Sequence, residues 1–325
     1  MFLSYIIPIY NCKGYIANCL DILLRAMSAE NFEVILVDDG STDGSGDICA
    51  EYTRQYPNVT CFRQQNDGPA TARNRGLEAA QGDFVWFVDA DDAIVPQIVE
   101  TLQTVVAEHP DADFVSFGYI SEYPDRNETT MMTRQITACS GLEFLQRKGG
   151  GAYLWNNIYR RSSIGEHRFI DSVRHIEDFC FNHQTVIDFK KVVVLPDIGY
   201  CYNRKNVSSI SHGRSQMDRD KANDDSYRVY QALYEDMRQC DDVAKRMFLE
   251  NVLHFSIAAH LYTMMRFDDA RTIKGYIDSY RKMGLYPLKP TGNRKSDLFI
   301  RLANHEWLFL RIKQMVESLW KMTMS

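Results

Sequence analysis

The sequence contains no closely spaced pair of cysteines. Eight cysteines lie singly along the 325 residues, and no C-x-x-C pair occurs. Structural zinc sites and disulfide frameworks use closely spaced or paired cysteines, so the sequence predicts neither, and a reducing compartment fits it best. The chain also lacks an apolar run near the roughly 18 residues that a transmembrane helix needs. These two absences predict a cytoplasmic protein.

An excess of positive charge is missing as well. The formal net charge is -6 and the sequence pI is about 5.8. Proteins that bind nucleic acid usually present a basic surface to the phosphates, so we expect no nucleic-acid partner. The composition, with 45% hydrophobic and 25% charged residues, is typical of a folded globular protein.

Three well-known ligand-binding motifs are absent. No Gly-Lys-Ser/Thr sequence follows a glycine-rich loop, and no G-x-G-x-x-G follows the first apolar run. The common phosphate-binding and dinucleotide-binding loops are thereby excluded. A calcium loop could begin at Asp39, but its twelfth position would be Ala50, where a bidentate glutamate is required.

Short β-rich segments alternate with helical patterns in the first part of the chain. Strands are predicted at 3–9, 33–37, 59–63 and 84–88, and Pro69 is placed to open a helix between the last two. This alternation predicts βαβ units and an α/β fold with a mainly parallel central sheet. Open sheets of this kind bind ligands beyond the carboxyl ends of their strands, which directs attention to the loops there.

The predicted secondary-structure pattern changes twice in the later part of the chain. Residues 113–212 mix strand and helix patterns, whereas residues 213–325 are almost wholly helical in pattern, with a break at Pro287 and Pro290. We therefore expect an α/β domain over 1–212 followed by a helical C-terminal region.

Acidic residues follow the fourth predicted strand. Asp89 and Asp91 stand two apart after the apolar segment 84–88, so their side chains point to the same side if the extended backbone continues. Carboxylate oxygens in this arrangement suit Mg²⁺ or Mn²⁺, which take further ligands from water and substrate phosphates. The alternative is a solvated acidic turn, which is the commoner fate of aspartate in a loop.

A second acidic pair, Asp38 and Asp39, follows the strand 33–37. A carboxylate there can accept hydrogen bonds from the N–H of a base or from a ribose hydroxyl. Alternatively the segment is an N-cap cluster, in which Asp43 caps the next helix. On the helix before the fourth strand, Arg73 could face a nucleotide or a diphosphate, or it could be a solvated helix charge.

Four short motifs occur in the first part of the chain. They are Pro8-Ile9-Tyr10-Asn11, Val37-Asp38-Asp39-Gly40-Ser41-Thr42-Asp43, Gly68-Pro69-x-x-Ala72-Arg73-Asn74-x-Gly76 and Val88-Asp89-Ala90-Asp91-Asp92. In order and spacing they resemble family 2 glycosyltransferases, and the resemblance continues through His175-Ile176-Glu177-Asp178 and Tyr202-x-Arg204. It implies a GT-A fold, a nucleotide-sugar donor that is most often UDP-linked, a divalent metal, and transfer with inversion at the anomeric carbon.

Carried over position by position, the resemblance assigns the donor-binding residues. Pro8 and Tyr10 would line the nucleoside pocket, and Asp39 would bind the base. Arg73 would lie beside the base or the diphosphate. Asp89 would reach the ribose or a water on the metal.

The resemblance also implies a metal ligand and a catalytic base. Asp91 matches the metal-binding acid, and His212 could complete the metal shell, with a surface histidine as the alternative. Asp178 matches the proposed catalytic base, and Glu177 is the second candidate; the structural alternative is a pair of acids that open a helix. Arg204 could add to the stabilisation of the leaving diphosphate.

The resemblance places donor and acceptor in different parts of the chain. Residues 1–112 would bind the nucleotide sugar, and residues 113–212 would bind a saccharide or a lipid-linked saccharide as acceptor. One rival function is a non-catalytic nucleotide-sugar-binding protein. A second rival, a nucleotidyltransferase, normally needs a glycine-rich triphosphate loop, which is absent.

An amphipathic segment lies near the C-terminus. Residues 298–322 combine apolar and basic side chains, among them Trp307 and Arg311. Such a segment could lie on the inner face of a membrane as a peripheral contact. The alternatives are a helix packed on the catalytic region and a homodimer contact, because amphipathicity is normal in soluble helices.

Overall fold

The structure is a computed structural model that describes residues 2–26, 31–147, 153–206 and 216–323, without the side chains of 216–217 and 319–323. The chain divides into two compact units, residues 1–219 and 220–325.

The first unit contains a sheet and the helices that cover it. Its described strands, β1 to β10 in chain order, are Leu3–Ile9, Phe32–Asp38, Val59–Arg63, Phe84–Phe87, Ala93–Ile94, Phe114–Glu122, Asn127–Thr130, Thr137–Cys139, Asn157–Arg160 and Val192–Asn203. Its described helices, α1 to α7, are Ile16–Arg25, Ser45–Gln55, Pro69–Ala79, Ile98–Glu108, Gly141–Gln146, Arg161–Ile164 and Glu177–Val186.

The strands form one mixed sheet in the order β3-β2-β1-β4-β9-β6-β10-β5, with β7 paired to β6 and β8 to β10. β1 runs parallel to β2 and β4, β2 parallel to β3, and β6 parallel to β10. The α/β class predicted from the alternation is confirmed. The parallel arrangement is interrupted by β9, a strand of four residues that runs antiparallel to both β4 and β6.

Local sequence explains why α3 lies tightly against the centre of this sheet. All residues of β1 except Pro8 are buried, as expected for a central strand with both faces covered. Pro69 is the first residue of α3, where its missing N–H costs nothing. A Cβ on Gly76 would come within 2.3 Å of Ile6 Cγ2, so glycine is required for this close approach. The packing fixes the position of Arg73, midway along α3.

Helices make up the rest of the described chain. They are α8 to α12, at Gln216–Gln239, Val243–Phe267, Ala270–Lys282, Arg294–Asn304 and Glu306–Thr323. The predicted helical C-terminal region is confirmed, and Pro287 and Pro290 lie between α10 and α11. Among the described helices, none has both the length and the apolarity that crossing a membrane demands.

Candidate active site

Two acidic loops leave the same edge of the sheet. β2 and β4 both run parallel to β1, so the loops after their last residues, Asp38 and Phe87, emerge at the common carboxyl edge. Asp39 lies in the first loop, and Asp89 and Asp91 lie in the second. This edge is the candidate site.

Arg73 is a buried cation between two acidic segments. Its Nη2 lies 3.0 Å from Asp89 Oδ1, and its Nη1 lies 2.8 Å from Glu177 Oε1. Burial lowers the pKa of Arg73, but the charges of Asp89 and Glu177 outweigh burial and leave that pKa above its ordinary value. The charged guanidinium therefore joins the loop after β4 to the start of α7. Its predicted contact with a base or diphosphate stays a prediction.

Asp178 has an unusual proton affinity. Burial, and next the negative charge of Glu177, raise the pKa of Asp178 to about 7, although the Phe179 N–H donates to its Oδ1 at 2.7 Å. The charges of Arg73 and Asp89 also act on this carboxyl group. Glu177 and Asp178 are the first two residues of α7, as the alternative interpretation of two helix-opening acids predicted. They also lie near the loop after β4, because Arg73 contacts both Glu177 and Asp89. A carboxyl group with a pKa near neutrality can act in proton transfer.

The loop from Asp89 to Asp92 is fastened to the end of β10. The Tyr200 hydroxyl donates to Asp92 Oδ2 at 2.9 Å and accepts from the Asp89 N–H at 3.1 Å. Asn203 donates from its backbone N–H to Asp92 Oδ1 at 2.7 Å, and from Nδ2 to the Asp91 carbonyl at 3.0 Å. Neutral donors thus fix the position of the loop, while Arg73 balances the charge of Asp89.

The carboxyl group of Asp91 lies in a negative environment. Asn206 Nδ2 donates to Asp91 Oδ2 at 2.7 Å. Burial, and next the carboxylate of Asp89, raise the pKa of Asp91. Burial and these neighbouring acids likewise raise the pKa of Asp92 well above its usual range. Part of each upward shift comes from repulsion between the neighbouring negative charges, and a bound cation would relieve that part.

The residues at this loop suit Mg²⁺ or Mn²⁺. Over the described ranges, no group of three or more His, Cys, Asp or Glu side chains is arranged to hold a metal ion. Magnesium-type sites, however, often use one or two carboxylates and complete the shell with waters and substrate phosphates. Asp91, with Asp89 beside it, can provide such ligands. His212, predicted as a further ligand, lies outside the described residues.

Asp39 is buried at the end of β2, and its carboxylate has protein donors. Gln64 Nε2 and the Asp67 N–H each donate to Oδ1 at 2.9 Å, and the Gly68 N–H donates to Oδ2 at 2.8 Å. Asp39 therefore anchors the turn that precedes α3, and with it the helix that carries Arg73. Its predicted contact with a base stays a prediction.

The end of β1 borders the same edge. Pro8 pairs in register with Val37, and Tyr10, just beyond the strand, is 48% exposed. An exposed ring at this place is compatible with the predicted nucleoside pocket, which the structure leaves as a prediction.

The predicted N-cap at Asp43 is wrong in position. Gly44 occupies the N-cap of α2 with φ 95°, a left-handed conformation that favours glycine. Asp43 instead accepts from the Ser45 N–H and from the Lys13 N–H, both at 2.9 Å. The chain enters α2 through this glycine, which shifts the carboxylate one residue outside the cap.

Two cations, Arg204 and Lys205, directly follow β10. Arg204 Nη1 donates to the Tyr202 hydroxyl at 3.2 Å, and the guanidinium carbon lies 5.2 and 5.6 Å from the ring centres of Tyr202 and Tyr123. Lys205 Nζ lies 2.9 Å from Glu122 Oε2. Both cations thus have partners within the protein, and the predicted role of Arg204 at a leaving diphosphate stays a prediction.

Sequence reasoning misses Tyr200, Asn203 and Asn206 as site residues. Each is more than 100 positions from its acidic partner in the chain. The available signal was weak: polar side chains follow the apolar beginning of β10, close to the Tyr202-x-Arg204 motif.

A solved structure shares this fold. S. aureus TarS, residues 1-349, in complex with UDP-GlcNAc matches with a TM-score of 0.73 and 18% identity, over 98% of this chain and 92% of that one. At this identity the likeness shows the fold, and the predicted GT-A architecture is confirmed.

Sequence comparisons add relatives and a family. EpsH of Bacillus subtilis (strain 168) is 30% identical over 263 residues, which are 78% of this chain and 75% of that protein. The glycosyltransferase GlyG of Streptococcus pneumoniae serotype 4 is 32% identical over 219 residues, 63% of this chain and 72% of that protein. The family model for glycosyl transferase family 2 matches residues 4–169. With its motifs in place at the carboxyl edge of the sheet, the chain belongs to glycosyl transferase family 2.

Proposed function

We propose that this glycosyltransferase moves a sugar from a UDP-linked donor onto an acceptor hydroxyl with inversion at the anomeric carbon. The observation that carries the proposal is the joining of two acidic motifs by Arg73, which brings Asp178 close to the loop that holds Asp89 and Asp91. The UDP-GlcNAc complex of a protein with the same fold supports the choice of donor.

Asp178 is the proposed catalytic base. In an inverting transfer the acceptor oxygen loses its proton as it attacks the anomeric carbon, and a base must stand opposite the leaving group. A carboxyl group whose pKa is about 7 is a far better proton acceptor than an ordinary aspartate. Glu177 is less suited, because its carboxylate is already engaged by Arg73 Nη1 at 2.8 Å.

Asp89 and Asp91 are the proposed residues that hold a divalent cation. When bound, this cation would neutralise the negative charge that develops on the leaving nucleoside diphosphate. The protein's own contribution is positional: Tyr200 and Asn203 hold the loop, and Asn206 orients the Asp91 carboxylate. Arg73 compensates the charge of Asp89 from the side of α3.

The proposed acceptor is a saccharide or a lipid-linked saccharide. A rival function is nucleotide-sugar binding without transfer. The two differ in one respect: only a transferase needs a carboxyl group that can exchange a proton near neutral pH, and Asp178 has that property.

Release of UDP tests the proposal. UDP-sugars are incubated with the protein and Mn²⁺, with and without saccharide acceptors, and the products are analysed for anomeric configuration. We expect UDP release that requires the donor and increases with acceptor, and a product inverted relative to the donor. Binding of UDP-sugars without any release would favour the rival, and a retained configuration would refute the assignment of Asp178.

A further inference from the structure

An exposed surface in the second unit combines large apolar side chains with cations. Tyr262 on α9 is 55% exposed, Leu298 on α11 and Trp307 on α12 are both 71% exposed, and Met315 on α12 is 65% exposed. Exposed apolar residues that are scattered singly are common, whereas a large contiguous apolar patch marks an interaction site. We call the outward faces of α9, α11 and α12 the helical layer.

Aromatic contacts beneath this surface hold the three helices together. The ring of Phe299 on α11 meets Tyr262 edge to face at 5.4 Å between centroids and meets Phe309 on α12 at 5.7 Å. Phe309 is fully buried. Between α9 and α11 a groove of about 430 Å³ is lined by Phe255, Tyr262 and Phe299, with Lys295 also in its wall. The apolar surface is therefore continuous from α9 to α11.

The charge of the helical layer is opposite to that of the chain. Its three helices carry nine lysines and arginines against four aspartates and glutamates, whereas the net charge of the whole chain is -6. Besides Arg246, whose Nη1 donates to the Cys240 carbonyl, five exposed cations of these helices have no carboxylate within 4.0 Å in the described part of the chain: Arg266, Arg294, Lys295, Arg301 and Arg311.

The carboxylates of the same helices already have partners. Glu250 pairs with Lys289, and Glu306 pairs with Arg281. Asp297 accepts from the Thr291 N–H at 2.6 Å, and Glu317 accepts from the Ala270 N–H at 3.1 Å. Backbone donors leave the charge of Asp297 in place, but the five cations outnumber it, so the net charge that remains on the helical layer is positive.

We propose that the helical layer docks on an anionic lipid surface. Lipid phosphates are complementary to the five cations, and the boundary between headgroups and acyl chains accepts Tyr, Trp and Leu side chains together. The guanidinium of Arg311 lies 5.7 Å from the ring centre of Trp307, so cation and ring are presented together. A second copy docked by a two-fold axis would bring cations against cations, which disfavours that occupant. This proposal does not depend on the proposed transfer reaction.

Vesicle sedimentation of the full-length protein tests the proposal. The parent protein is mixed either with vesicles of phosphatidylcholine alone or with vesicles that contain both phosphatidylcholine and phosphatidylglycerol. We expect binding only to the anionic vesicles, and weaker binding at high salt. Since one basic residue near an anionic surface contributes about fivefold in affinity, Arg294→Glu with Arg301→Glu lowers the affinity by at least about 25-fold. Leu298→Ser with Trp307→Ser lowers it by at least about tenfold.

A matched control uses exposed apolar residues of the first unit. Met131 and Ile136 are 55% and 48% exposed, and Met131→Ser with Ile136→Ser is expected to bind vesicles like the parent. Equal loss in this control, equal binding by all variants, or no binding by the parent would each overturn the proposal. Sedimentation velocity without vesicles adds a further check: a parent dimer that Leu298→Ser with Trp307→Ser dissociates would show that a second copy covers the layer.

Discussion

The two acidic motifs of the site differ in what balances their charge. Glu177 faces the buried cation of Arg73, and its neighbour Asp178 is left with a pKa near 7. Asp91 and Asp92, in contrast, accept hydrogen bonds from neutral amide and hydroxyl groups, which provide no compensating positive charge. Residues of one chemical type thus acquire different capacities from their neighbours: the first motif can exchange a proton, and the second can attract a cation.

The largest expected effect comes from removing the proton acceptor. Asp178→Asn keeps the shape of the side chain but cannot take up the proton, so the turnover number should fall by about 10²- to 10⁴-fold. Donor binding, measured by calorimetry with UDP and Mn²⁺, should change little. If the variant turns over like the parent, Asp178 is not the base.

Glu177→Gln is the matched comparison for that variant. It removes a partner of Arg73 rather than the base, so its effect on turnover should be smaller than that of Asp178→Asn. A larger loss of turnover in Glu177→Gln would exchange the roles of the two acids.

Removal of Arg73 should cost mainly stability. Arg73→Met leaves the carboxylates of Asp89 and Glu177 without their buried cation, and breaking such a pair typically costs about 3–5 kcal/mol in the free energy of unfolding. Urea unfolding measures this loss. Arg75→Met, on the same helix but half-buried over the ring of Phe62, is the control and should cost about 1 kcal/mol or less. Equal losses in the two variants would contradict the bridging role of Arg73.

Loss of Asn206 should weaken cation binding. Asn206→Ala removes the donor to Asp91 Oδ2, and loss of a group that orients a metal ligand typically lowers metal affinity by about 10- to 100-fold. Titration of Mn²⁺ by electron paramagnetic resonance, with UDP present, measures the affinity. Asn127→Ala, on the exposed strand β7, should bind Mn²⁺ like the parent. An unchanged Mn²⁺ affinity in Asn206→Ala would argue against Asp91 as a metal ligand.

The smallest effect is expected from the hydroxyl of Tyr200. Tyr200→Phe removes the bonds to Asp92 and to the Asp89 N–H, and a hydrogen bond of about 1 kcal/mol corresponds to about fivefold in Mn²⁺ affinity. Tyr230→Phe, in the second unit, removes a bond to the Ser256 carbonyl at 3.3 Å and should leave that affinity unchanged. The same decrease in both variants would point to a general loss of stability.

Much of the first half of the sheet could be predicted from the sequence. β1 and β3 have the predicted bounds, because apolar segments there end at turn-forming residues. β10 extends beyond its apolar beginning at 192–195 and continues to Asn203, since register irregularities let the strand pass Pro196 without leaving the sheet. The sequence does not predict β9, whose four residues are too short to show a period.

The site could be predicted only in part for a related reason. Asp89 and Asp91 were identifiable because they follow a buried strand, which is a local signal. The contact of Arg73 with Glu177 joins residues 104 positions apart, and no local pattern reports which charges meet at that distance. The pKa of Asp178 likewise depends on burial that arises only in the folded chain.

The pH dependence of kcat/KM tests the central claim most directly, since it reports the ionisation of the base in the free enzyme. With a pKa of about 7 for Asp178, the parent's value should rise about tenfold per pH unit below neutrality and level off above it, because only the deprotonated carboxylate can accept the proton. The residual activity of Asp178→Asn should lack this rise. A flat profile in the parent, or the same rise in the variant, would contradict the account.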